Sequence, residues 1–61
     1  MPVVTIQMLE GRTVEQKREI AAAITDVIVK IAKVPPESTF VIMHDVPKSS
    51  WAKAGKLVID S

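Results

Sequence analysis

The 61-residue chain contains no cysteine, one histidine, one tryptophan, one phenylalanine and only two glycines. Without cysteine it forms no disulfide and no thiolate metal site. A single histidine excludes the common two-histidine zinc motifs, and no carboxylates cluster as they would in a calcium loop. No metal or cofactor is therefore expected. Apolar runs are a few residues long, far below the roughly 20 needed to cross a bilayer, and no basic n-region precedes an apolar h-region. A soluble, cytoplasmic protein with no membrane partner is the expectation. Charge of one sign is also lacking: eight Lys+Arg against seven Asp+Glu leave a net charge of +1, interspersed along the chain, which argues against a nucleic-acid partner.

What is present is apolar, 48% of the residues. A chain this short forms one domain, residues 1–61, and hides only about 60% of the surface it exposes when unfolded. Small folds of this kind rely on disulfides, metals or oligomerisation. With the first two excluded, association with further copies of the chain remains.

The segment from Pro2 to Leu9 alternates with period two, Val4, Ile6 and Met8 on one face and Val3, Thr5, Gln7 and Leu9 on the other, and predicts a strand. Glu10-Gly11-Arg12 supplies a turn. Thr13-Val14-Glu15-Gln16 is a capping box, so a helix begins at about Val14. Ile20, Ile24, Val27, Ile28 and Ile31 form one apolar stripe that predicts the core face of that helix. Pro35-Pro36 stops it. Thr39 to Val46 restores period two, with Phe40, Ile42 and His44 opposite in sense to Val41, Met43 and Asp45. Beyond Pro47, the turn at Gly55 and the apolar run Leu57-Val58-Ile59 predict a short C-terminal hairpin. Strand, helix and strand make a βαβ unit, whose crossover is right-handed in about 98% of cases, so the two strands are parallel. The fold class is α+β. Both faces of both strands carry apolar side chains and one helix covers one face, so the other needs partner chains.

The common nucleophile and phosphate-loop motifs are missing. Pro2 is the notable residue: after removal of Met1 its nitrogen becomes a secondary amine at the head of a strand. A free α-amino group titrates at roughly 7.7 to 8.0, and an apolar pocket or a nearby cation lowers that further, toward a base tuned for neutral pH. Arg12, just ahead of a helix N-terminus, suits a carboxylate. The alternative is a surface charge paired with Glu10.

The opening P-V-V-T-I-Q-M-L-E-G-R-T-x-E-Q-K, the later V-P-P-E-S-x-x-V-I-M-H-D, Trp51 and the closing A-G-K-L resemble the 4-oxalocrotonate tautomerase family over essentially the whole chain. The resemblance implies a β-α-β protomer with the tautomerase fold, assembled as a homohexamer, a trimer of dimers, with a cofactor-free site at each N-terminal proline. Pro2 is then the general base and acid of a keto-enol isomerase that converts 2-hydroxydienoates such as 2-hydroxymuconate, or enols of 2-oxo acids, to their keto forms. Arg12 binds the substrate carboxylate, Trp51 walls the pocket or packs between subunits, and the backbone N–H near Leu9 helps hold a water by the substrate oxygen. One position departs from the pattern: where the best-studied members carry a second arginine reaching in from a neighbouring subunit, this chain has Phe40. A phenyl ring cannot donate to a developing enolate, which leaves the expectation of either a weaker tautomerase or one redirected toward another substrate, such as monocarboxylate or aromatic enols. His44 and Lys48 are candidates to replace the missing cation. Two other readings of the scaffold are hydratase- or dehalogenase-like addition of water to unsaturated acids, and a noncatalytic oligomeric homologue.

Overall fold

The computed structural model describes residues 1–61. Strand β1 (Val3–Leu9) leads into helix α1 (Val14–Ala32), and strand β2 (Phe40–Val46) returns beside β1 in parallel, with Val3 opposite Phe40 and Leu9 opposite Val46. A hairpin of two short antiparallel strands, β3 (Ala52–Lys53) and β4 (Lys56–Leu57), closes the chain. Single turns of 3-10 helix occupy Pro36–Ser38, Lys48–Ser50 and Val58–Asp60. The expected α+β class, the βαβ unit and the C-terminal hairpin are all present.

Local chemistry accounts for the element ends. Thr13 caps α1: its hydroxyl accepts from the Gln16 N–H at 3.0 Å, while the Gln16 side-chain carbonyl accepts from the Thr13 N–H at 2.9 Å. The helix stops at Ala32, ahead of the prolines, because Lys33 turns left-handed (φ 59°, ψ 45°) and donates its N–H to the Val29 carbonyl. In the hairpin, Ala54 (φ 53°) and Gly55 (φ 82°) both take positive φ, the geometry of a two-residue type I′ turn. Glycine suits it; alanine is an uncommon occupant. The terminal run splits, with Leu57 in β4 while Val58 and Ile59 enter the last 3-10 turn.

The helix lies across the face carrying Val4, Ile6, Met8, Val41 and Met43, all half-buried. Asp45 shares that face and is ion-paired with Lys17 of α1, which ties the first turns of the helix to the end of β2. The predicted stripe needs correction: Ile20, Ile24 and Ile28 are half-buried, but Val27 and Ile31 are 52% and 78% exposed. Two strands are narrower than the helix's apolar arc, so Val27 overhangs the free edge of β1 with Ala23, Ile24, Ile28 and Val4 around a wholly apolar groove.

No residue of the chain is fully buried. The opposite sheet face is bare, with Val3 53%, Phe40 44% and Ile42 45% exposed. Accessible surface is 4618 Å², about 700 Å² more than the roughly 3,900 Å² of an ordinary folded monomer of this mass. That surplus is close to the roughly 800 Å² each partner contributes to a standard interface. The radius of gyration, 14.5 Å, likewise exceeds the roughly 10.5 Å of a self-contained 61-residue domain. No helix is long and apolar enough to cross a membrane.

Candidate active site

Pro2 stands at the head of β1, half-buried. Its carbonyl accepts from the Phe40 N–H at 3.0 Å, the first rung of the β1–β2 ladder. Proline has no N–H to lose there, which makes the start of a strand one of its tolerated places in a sheet. Met1 projects into solvent, 86% exposed. While Met1 is attached, the Pro2 nitrogen is an amide with a delocalised lone pair and cannot accept a proton. Around this end the bare face offers Val3 and Phe40 as one pair and Thr5 and Ile42 as the next. None of these side chains is charged. His44 lies opposite Gln7, about 13 Å along β2 from Phe40, and Lys48 follows the far end of that strand. Neither stands beside Pro2 of its own chain.

The far end of β1 is built differently. The Glu10 N–H donates to the Val46 carbonyl at 2.9 Å and ends the ladder. Gly11 then takes φ 117°, a conformation side chains rarely adopt, and turns the chain into the capping box. Arg12 is exposed and lies over the first turns of α1, in an open groove with Gln16, Glu19, Ile20 and Ala23. It has no ion pair: the three of the protomer are Lys17–Asp45, Arg18–Glu15 and Lys30–Asp26, so the alternative pairing with Glu10 is absent. Rungs at Pro2 and Glu10 set the parity of the ladder. Strand alternation therefore turns the Leu9 N–H toward the free edge of β1, away from β2. Trp51, half-buried, follows the end of β2 by five residues and accepts the Val58 N–H at 2.8 Å, closing the base of the hairpin.

The expected site residues thus fall into two groups within one chain. Pro2 and Phe40 meet at one end of the sheet; Leu9 and Arg12 occupy the other, with Trp51 on the segment that leaves it. Seven residues of β1 separate the ends by roughly 20 Å, more than any side chain spans. A pocket containing both Pro2 and Arg12 needs two copies of the chain. Lys17 is the residue that sequence reasoning missed near this site, since its pairing with Asp45 steadies the helix start that carries Arg12. The signal was a carboxylate, Asp45, in phase with Val41 and Met43 on the covered face. No three His, Asp or Glu side chains are grouped as metal ligands.

Comparison with known proteins identifies the family. Residues 2–61 match the family model described as tautomerase enzyme. A probable tautomerase of Streptococcus pyogenes serotype M3 is 40% identical over 57 residues, 93% of each chain. One from Ralstonia nicotianae is 46% identical over 57 residues, 93% of this chain and 88% of its own. Among solved structures, a 4-oxalocrotonate tautomerase homologue superposes with a TM-score of 0.95 at 34% identity, covering 100% of this chain and 97% of its own. A heterohexameric 4-oxalocrotonate tautomerase from Chloroflexus aurantiacus J-10-fl gives 0.92 at 33% identity, covering 98% and 97%. With the family model matching residues 2–61 and the whole strand–helix–strand unit superposing at this level, the chain belongs to the tautomerase family of enzymes, in its 4-oxalocrotonate tautomerase branch.

Proposed function

We propose that this chain, once Met1 is removed, is a cofactor-independent keto-enol tautomerase whose Pro2 amine moves the proton. The observation that carries the reading is the fixing of Pro2: its carbonyl is locked to the Phe40 N–H, so its nitrogen stands at the open head of the ladder beside uncharged side chains. Further copies packed over that end would exclude water and disfavour the ammonium form, leaving free amine to act as a base near neutral pH. The substrate is an enol or dienol of a 2-oxo acid. The amine takes the proton of the 2-hydroxyl, the C–O bond becomes a carbonyl, and the displaced π-electron pair takes a proton back from the ammonium at carbon. Bonds broken and formed balance, and no redox partner is involved.

Arg12 of a second copy holds the substrate carboxylate, supported by the positive end of α1. The edge-facing Leu9 N–H is the donor nearest that end for a water or the substrate oxygen, and Trp51 walls the pocket. This division of the site makes the working unit an oligomer. The surplus surface and the bare sheet face favour association of copies of this chain, and the heterohexameric assembly of one structural neighbour favours six as their number.

The decisive experiment couples intact mass with ketonisation assays on 2-hydroxymuconate and phenylenolpyruvate. The processed protein should begin at Pro2, and Pro2→Ala should lower kcat/KM by about 10²- to 10⁴-fold, the usual worth of a positioned general base. The ascending limb of the pH profile should move in the variant. Retained Met1 in the active protein, or an unchanged rate in Pro2→Ala, overturns the reading. Turnover of 3-haloacrylates instead would identify the water-adding alternative, and no turnover of any enol by a processed, assembled protein would leave a noncatalytic homologue.

A further inference from the structure

We infer that Lys17 and Asp45 are the positioning residues of the carboxylate subsite, their ion pair holding the turn that carries Arg12; the inference rests on the reading of Arg12 above. The pair joins α1 to β2 across 28 positions. Every other ion pair or side-chain hydrogen bond links residues three or four apart. It is therefore the one polar side-chain tie between helix and sheet. Its side chains are 27% and 43% exposed, against 61% to 72% for the two pairs along the helix, so water and salt screen it less.

Main-chain bonds turn this tie into a closed ring. The Glu10 N–H donates at 2.9 Å to the carbonyl of Val46, next to Asp45, and the Lys17 N–H donates at 3.0 Å to the carbonyl of Thr13, next to Arg12. The turn from Glu10 to Thr13 is thus held at both ends, and the ion pair closes the circuit between them. Gly11, at φ 117°, is where an open circuit would hinge. Apolar packing does not replace the tie at this end of the helix. Val14 is 63% exposed, Glu15 and Gln16 are exposed, and Lys17 is the first residue of α1 to be half-buried. Arg12 has no ion pair of its own, so the backbone of the turn sets its place. A guanidinium grips a carboxylate through a fixed fork of N–H groups, and a loose turn weakens that grip. Arg12, Lys17 and Asp45 belong to one copy, so the ring is the same whichever copy supplies Pro2.

The test is steady-state ketonisation of 2-hydroxymuconate or phenylenolpyruvate, whichever turns over faster, by the processed protein and by Asp45→Asn, Lys17→Met, their double variant, Lys17→Arg and Arg12→Ala. Asp45→Asn and Lys17→Met should each raise KM about three- to tenfold with kcat changed less than about twofold, and the double variant should be no worse than either, since both residues act through one contact. Lys17→Arg keeps the pair and should stay near the wild type. A direct effect of charge on the bound carboxylate gives opposite signs instead, loss of the cation raising KM and loss of the anion lowering it. Opposite signs overturn the inference, as does an unchanged KM in both single variants with only the denaturation midpoint lowered. Where Lys17→Met fails to assemble in size-exclusion chromatography, Asp45→Asn with Lys17→Arg decides. A raised KM in Arg12→Ala with none in the pair variants overturns the inference alone. An unchanged KM in Arg12→Ala, or no turnover at all, overturns the reading of Arg12 and the inference with it.

Discussion

The two ends of β1 are positioned by different parts of the chain, and the difference indicates which substitutions each tolerates. At the Pro2 end, a main-chain bond to Phe40 sets the geometry, and the neighbouring side chains, Val3, Thr5 and Ile42, are uncharged. At the Arg12 end, side chains do the positioning: Thr13 and Gln16 cap each other, Lys17 grips Asp45, and Gly11 supplies a φ that other residues resist. On the proposed reading, the proton-moving nitrogen of Pro2 is placed by the backbone, and the carboxylate-binding Arg12, which tolerates more latitude, is carried on the side-chain-built turn.

The sharpest way to break this comparison is to separate the ends onto different chains. Arg12→Ala should raise KM roughly 10- to 150-fold, the equivalent of about 1.5 to 3 kcal/mol for a hydrogen-bonded charge, with a smaller effect on kcat. Co-refolding Arg12→Ala with Pro2→Ala should then recover activity above either variant alone, because some sites combine the intact Pro2 of one copy with the intact Arg12 of another. Mixed oligomers without recovery would put both residues of a site in one chain, against the roughly 20 Å spacing along β1.

A milder test loosens only the Arg12 end. Thr13→Ala removes one half of the capping box and should lower stability by about 0.5 to 2 kcal/mol, read as a reduced denaturation midpoint. Since the same cap orients the turn carrying Arg12, KM should rise a few-fold while kcat holds. A change in kcat with KM constant would contradict the division of labour.

The smallest expected effect is at the opposite end and has the opposite sign. Lys33 is held left-handed where α1 gives way to the loop returning to Phe40. Lys33→Gly relieves the left-handed strain of about 1 to 2 kcal/mol and adds glycine's entropy loss of about 0.5 to 1, for a net gain of about 0 to 1.5 kcal/mol. The denaturation midpoint should rise slightly. Because the Phe40 bond to Pro2 fixes the amine independently of that loop, kcat/KM should stay within twofold.

Much of the fold was legible because its signals are local. Period-two alternation marked both strands to within one residue, and Thr13 with Gln16 placed the helix start. Positions with no sidechain signature were not legible: nothing about Lys33 or Ala54 announces positive φ, and the helix ended before the prolines expected to stop it. The Ile20–Ile31 stripe misled for another reason. Period identifies an apolar arc but not the width of the sheet beneath it, so Val27 and Ile31 read as core and lie exposed in the protomer. Pro2 and Arg12 could be named from their chemistry and Leu9, Phe40 and Trp51 from the family resemblance, yet their arrangement within the chain could not. Pro2 and Phe40 are 38 positions apart and meet only through strand register, whereas Pro2 and Arg12 are near in sequence and stand at opposite ends of an extended strand.

By itself the sequence determined the order and type of the main elements and the family likeness, since these follow from residue types at short spacing. Tertiary structure decided which residues share an end, which face stays bare, and that Pro2 and Arg12 stand at opposite ends of one chain. The reason is geometric. A strand keeps its neighbours in sequence about 3.3 Å apart and drives them away from one another, while a parallel crossover brings distant residues side by side.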